Sequence, residues 1–156
     1  MTLPRVGLVL HPQFSPFHFS VPYMVFSIAL PEGPLFELLI ITPDGKPLAS
    51  ERAMTVQPDG GLELLDKVDI AVVPGWHDLN EAPPPELSEA LARCHKRGAH
   101  VVGLCYGTYA LAYAGLLDNK RASTHWLAEQ DFLERFPQVN LDTNALYVED
   151  DRLVTS

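Results

Sequence analysis

The chain predicts an α/β fold: a mostly parallel sheet with helices on both faces, a three-layer sandwich. Two observations carry that expectation. Short, continuous apolar runs recur at 5–11, 35–42, 69–75 and 100–105, each bounded by Pro, Gly or charged residues. Stretches with helical spacing or helix-start residues lie between them. A strand buried on both faces reads as an unbroken apolar run rather than as alternation. Strands separated by helices return in the same direction and pair in parallel.

The elements follow in order. "RVGLVLH" (5–11) is a strand bounded by prolines. "VPYMVFSIAL" (21–30), preceded by Ser20 and closed by Pro31 and Gly33, predicts a helix. "LFELLIIT" (35–42) is a second strand, stopped by the turn-forming "PDGKP". Residues 48–57 suit a short hairpin or edge piece, and 61–68 a short helical turn. "DIAVVPG" (69–75) is a third strand.

"PPPELSEALARCHKRG" carries a full set of helix signals. Pro85 fits the first turn. Leu87, Ala90, Leu91 and Cys94 share one face. His95, Lys96 and Arg97 complement the negative end, and Gly98 is a natural residue just past it. "HVVGLC" (100–105) is the fourth strand. Helices follow at 108–117 and at 127–136, the latter ended by Pro137.

At 156 residues the chain fits one domain with a sizeable core. Hydrophobic residues make up 47% and charged ones 20%, ordinary globular usage. Lys and Arg total 11 against 20 Asp and Glu, a net charge of -9 without a basic patch, which excludes direct binding to nucleic acid phosphates. No apolar run approaches the length of a membrane span, and the N-terminus lacks a signal-peptide pattern. Two cysteines with neither C-x-x-C nor zinc spacing give no expectation of a metal or cofactor. A reducing cytoplasm is the expected compartment.

Gly103-Leu104-Cys105-Tyr106-Gly107 has the G-x-S-x-G spacing of a nucleophile elbow, with Cys in place of Ser. A strand that turns straight into a helix strains its corner residue and brings backbones close, so the flanking positions must lack side chains. The corner side chain then stands above the sheet, and the following helix N-terminus favours its thiolate. Cys94 has no such frame and is expected in the core. In "VVPGW", the N–H groups of Gly75 and Trp76 are placed to join that of Tyr106 around a ligand oxygen. His125, in "STHW", is the candidate base, brought back over the sheet by the intervening helix and strand. His11 and His77 follow strands and fit the rim. His18, His95 and His100 are assigned to solvated or structural positions. Gly75, Trp76, Cys105, Tyr106 and His125 are therefore the expected ligand-binding set, with Cys105 and His125 the catalytic pair if the domain turns over a substrate.

"VVPGW", "VVGLCYGTYALAYAGLLDNKRASTHW" and "FPQVNLDTNALYVEDDRLVTS" resemble the class I glutamine amidotransferase-like, ThiJ/PfpI group. They resemble most closely the N-terminal domain of AraC-family transcription regulators, across nearly the whole chain. That resemblance implies a flavodoxin-like fold over 1–156 and a homodimerising domain that senses a small-molecule ligand. It further implies that a last helix and helix-turn-helix units follow beyond "VTS", so that DNA is bound only through that absent domain. Two departures count against catalysis. Peptidase-like members place His directly after the cysteine, where this chain has Tyr106. Many members carry a glutamate on the first helix against the thiol, and Met24 is taken to stand at that place. The alternative is a cysteine-dependent hydrolase, hydratase or glyoxalase-like enzyme of the same superfamily.

Overall fold

Six strands form the central sheet of the computed structural model, which describes residues 2–156. They are β1 (Arg5–Val9), β2 (Glu37–Ile41), β3 (Ile70–Val73), β4 (His100–Gly103), β5 (Val148–Asp150) and β6 (Leu153–Thr155), in the spatial order β5-β6-β4-β3-β1-β2. All neighbours run parallel except the edge strand β5, which is antiparallel to β6. The four expected strands are all present. The β5–β6 hairpin adds two that no helical or strand pattern in 138–156 had signalled.

Helices cover both faces. Helix α2 (Pro85–Lys96) buries Leu87, Ala90, Leu91 and Cys94, the predicted stripe. Gly98 follows with a φ of 103°, a conformation open to glycine without strain. Helix α3 (Gly107–Tyr113) packs on the same face, stopped earlier than expected because Gly115 turns left-handed at 77° just past its end. A 3₁₀ turn at Trp126–Ala128 leads into α4 (Glu129–Arg135). Together with the strands these helices enclose the larger apolar core, which includes Tyr109, Leu111 and Phe132.

The opposite face carries helix α1 (Pro16–Phe26) and a smaller core around Leu8, Phe14, Phe19 and Val72. This helix corrects the expected span of 21–30. Ser15 is its N-cap, its Oγ accepting from the His18 N–H at 3.4 Å, with Pro16 in the first turn. Ser20, taken as the residue preceding the helix, misplaced the start; the same run also carries Pro22. It sits mid-helix, where it gives up the bond its N–H would have made to the His18 carbonyl. Residues 29–30 and 33–34 pair as a small antiparallel ribbon instead of continuing the helix.

The chain passes from β1 outward to β2 and then back past β1 to β3, so the crossover direction reverses between β1 and β3. Ligand crevices form at such reversals, beyond the carboxyl ends of the strands. His11 lies beyond β1, Gly75 and Trp76 beyond β3, and Cys105 beyond β4. No helix among the described residues is long and apolar enough to cross a membrane.

Candidate ligand site at the cysteine corner

Cys105 has a φ of 56°, left-handed and strained for a residue with a Cβ. The flanking glycines are forced. A Cβ on Gly103 would lie 2.9 Å from the Thr108 backbone, and one on Gly107 would collide with the Val73 carbonyl oxygen. Gly75 differs: a Cβ there would meet only His18, at 3.8 Å. Its missing side chain keeps the space toward α1 open rather than permitting a backbone contact.

The sulfur is half-buried and borders a cavity of about 300 Å³. His11 and Gln13 wall it after β1, His18 on α1, Glu51 from the 50–54 loop, Gly75, Trp76 and His77 after β3, and Tyr106 beside the thiol. A second cavity of about 430 Å³ continues past Trp76 toward Asp78 and Glu81. Of the expected set, Gly75, Trp76, Cys105 and Tyr106 thus meet at one hollow. Among the described residues, neither the Gly75 nor the Trp76 N–H finds an acceptor within the chain.

His125 stands one layer out. Its ring lies 5.3 Å from that of Tyr106, between centroids, and stacks on Trp126. Its Nδ1 accepts from the Leu127 N–H at 3.2 Å and caps the 3₁₀ turn, which leaves Nε2 as the protonated nitrogen of the neutral ring. The segment does return to the elbow as expected: Thr124 Oγ1 donates to the Cys105 carbonyl at 2.9 Å, and Thr108 Oγ1 to that of Ser123 at 2.9 Å. The imidazole does not reach the thiol. Among the described residues, the Cys105 sulfur has no side-chain hydrogen-bond partner.

The helix residue that faces the cavity is His18, not Met24. Met24 is 68% exposed on the outer side of α1. The assignment of His18 to solvent or scaffold is therefore corrected. The signal was present in Ser15-Pro16, a cap and first-turn pair that sets His18 into the first helical turn beside the strand exit.

Burial sets the electrostatics of the inner cavity. Burial pushes the Cys105 thiol upward and outweighs the Tyr106 N–H that opposes it. The expected thiolate is thus corrected to a thiol that burial holds above its ordinary value. Burial also lowers His11 to about 4, against partial opposition from the Pro12 carbonyl that its Nδ1–H meets at 3.0 Å. Burial lowers His18 as well. The pocket's inner imidazoles are neutral at pH 7.

The outer wall is braced from behind. Tyr113 OH donates to the Leu79 carbonyl at 2.7 Å, and Arg135 reaches Asn80 at 3.0 Å while clamping Asp131 through two nitrogens. The buried Tyr109 hydroxyl donates to the same Asp131, at 2.7 Å. Trp76 Nε1–H closes the loop on itself by donating to the Glu81 carbonyl at 2.8 Å. Among the described residues no group of three or more His, Cys, Asp or Glu is arranged to hold a metal ion.

The pattern of the DJ-1/PfpI family matches residues 4–156. The HTH-type transcriptional regulator CdhR of Pseudomonas aeruginosa is 34% identical over 122 residues, which cover 78% of this chain and 36% of the regulator. Isonitrile hydratase of Pseudomonas putida is 28% identical over 123 residues, covering 78% of this chain and 52% of the enzyme. The crystal structure of an AraC family transcriptional regulator from Pseudomonas putida superposes with a TM-score of 0.80 at 25% identity, covering 98% of this chain and 83% of that one. The chain thus matches about a third of CdhR and about half of the hydratase.

Proposed function

The chain belongs to the DJ-1/PfpI family, and from that premise we propose that it is the ligand-sensing and dimerising part of an AraC-type transcription regulator. A small metabolite occupies the cavity beside Cys105, and DNA is contacted through a separate domain. The observation that carries this reading is the unsupported thiol. A nucleophile needs a base within reach and a depressed pKa. Among the described residues no side-chain base hydrogen-bonds the Cys105 sulfur and burial raises its pKa, yet the backbone holds it in a strained conformation at the floor of a cavity.

The donors that remain suit recognition. The unpaired N–H groups of Gly75 and Trp76 fit a carbonyl or carboxylate oxygen, and the Trp76 and Tyr106 rings supply apolar walls. Relatives named as regulators support the same reading, as does an acidic surface unsuited to DNA.

The second reading, turnover at Cys105, draws on the similarity to isonitrile hydratase. There the thiol would attack an electrophilic carbon with the same N–H groups around the developing charge. One experiment separates the two: thermal-shift and tryptophan-fluorescence screening against a panel of small amines, amides, carboxylates and isonitriles. Sensing predicts a compound that raises the melting temperature, perturbs Trp76 emission and is recovered unchanged, with binding lost in Trp76→Ala. Product formation that vanishes in Cys105→Ala would overturn it.

A further inference from the structure

Apart from Cys105 itself, His18 is the residue that two openings onto the sulfur share. It lines the cavity of about 300 Å³, and it lines a cleft of about 320 Å³ that reaches the same sulfur from the α1 side. The two spaces differ in chemistry. Phe17, Val21, Pro22, Pro74 and Leu104 make the cleft mainly apolar. The cavity holds the unpaired N–H groups of Gly75 and Trp76, and neither Lys nor Arg lines it.

The His18 ring stands where the spaces join. Its first ring carbon lies 3.9 Å from the point a Gly75 Cβ would occupy. Only the His18 backbone N–H is bonded, to the Ser15 cap; among the described residues the imidazole makes no hydrogen bond.

We propose that this site takes a small carboxylate with a short apolar tail, that the tail enters the α1 cleft, and that His18 selects the anion by taking up a proton as it binds. The inference rests on the sensing reading and narrows its ligand. Two unpaired backbone donors call for acceptor oxygens, which a carboxylate supplies and an ammonium group does not. With no fixed cation lining the cavity, a carboxylate held there needs its charge balanced by the imidazole. Burial lowers His18 from its ordinary value, so the free protein keeps that ring neutral. An anion against the ring favours the imidazolium. Other elements face the ring with Glu51 from the 50–54 loop, His11 after β1, His77 after β3, and Cys105 and Tyr106 at the elbow. Glu51 favours the charged ring, His125 opposes it, and His11 stays neutral because burial holds it near 4. A bound carboxylate adds to the pull of Glu51. Binding and protonation are then linked. His18 holds its proton to higher pH in the complex than in the free protein, so affinity rises as the pH falls through the raised value and levels off below the free one.

The experiment is isothermal titration calorimetry of the wild type, His18→Gln and Phe17→Ser with acetate, butyrate, hexanoate and benzoate, each beside its primary amide. Titrations run from pH 8 to pH 6 in HEPES and in Tris, whose different ionisation enthalpies report protons taken up. Histidine Cε1–H resonances are followed by NMR in parallel. Carboxylates are expected to bind roughly tenfold or more tightly than their amides. Affinity climbs by roughly fourfold per methylene from acetate to hexanoate, and Phe17→Ser flattens that series. Wild-type affinity for butyrate strengthens as the pH falls, by up to roughly tenfold per pH unit, with uptake of up to one proton. His18→Gln loses both the uptake and the slope. One resonance, missing in His18→Gln, titrates at higher pH once butyrate is added; a wild-type proton count and pH slope remain readable if the variant does not fold. Carboxylates that do not bind, amides that bind equally, affinity independent of pH or of chain length, or proton uptake that persists in His18→Gln would overturn the proposal. An amine or amide that binds where the carboxylates do not would overturn it and leave the sensing reading standing.

Discussion

Cys94 and Cys105 present the same side chain at two places in one fold, and their fates diverge completely. Cys94 sits on the inner face of α2 with no exposed surface, its Sγ donating to the Leu65 carbonyl at 2.8 Å. Cys105 stands half-buried between two cavities with a left-handed backbone. Burial raises both thiols, so the direction of the shift does not distinguish them. The difference lies in the backbone around each. Helical spacing puts Cys94 among Leu87, Ala90 and Leu91, while two glycines let the chain reverse at Cys105 so tightly that its side chain leaves the sheet.

The glycines offer the largest effect with which to break that comparison. Gly107→Ala drives a methyl into the Val73 carbonyl, where backbone rather than a movable side chain stands in the way. It is expected to cost about 3 kcal/mol or more in urea unfolding. Gly98→Ala, beyond the Cys94 helix, meets open space and bears only the strain of its positive φ. It should cost about 1–2 kcal/mol.

The next effect is a pH dependence confined to the cavity side. His11 titrates near 4 when folded and near its ordinary value of 6.5 when unfolded. The unfolded chain therefore binds the extra proton between those values. Stability is full above about pH 6.5 and is lost as the pH falls toward 4, by about 3 kcal/mol in total. Unfolding midpoints of wild type and His11→Phe, followed from pH 7 to pH 4, should diverge by that slope. Parallel curves would place the proton elsewhere.

The smallest effect is on the cysteines themselves. Cys94→Ala empties a filled core position and should cost about 1–2 kcal/mol. Cys105→Ala should stay within about 0.5 kcal/mol, since its sulfur touches open space. Equal costs would mean that Cys105 is core.

What the sequence disclosed follows the range of the interactions involved. The Cys105 elbow was legible because a G-x-C-x-G frame answers a local steric demand, and the α2 stripe because periodicity is local too. The start of α1 was read after Ser20 instead of at the Ser15 cap, so His18 was missed and Met24 misassigned. The 50–54 loop brings Glu51 to the cavity with no periodic signal at all. His125 returns to the elbow as expected, but its ring orientation is set by Trp126, Leu127 and Tyr106, contacts that spacing does not encode. The neutral state of the thiol needed the depth of the cavity, which only the assembled fold supplies.

The most direct measurement is native-state alkylation with iodoacetamide, read by intact mass and peptide mapping across pH 7 to 10. The account predicts a single addition per folded chain, on Cys105, with a rate that climbs with pH as its elevated thiol ionises, while Cys94 reacts only after unfolding. Modification of Cys94 first, or two thiols equally protected until the chain unfolds, would contradict it.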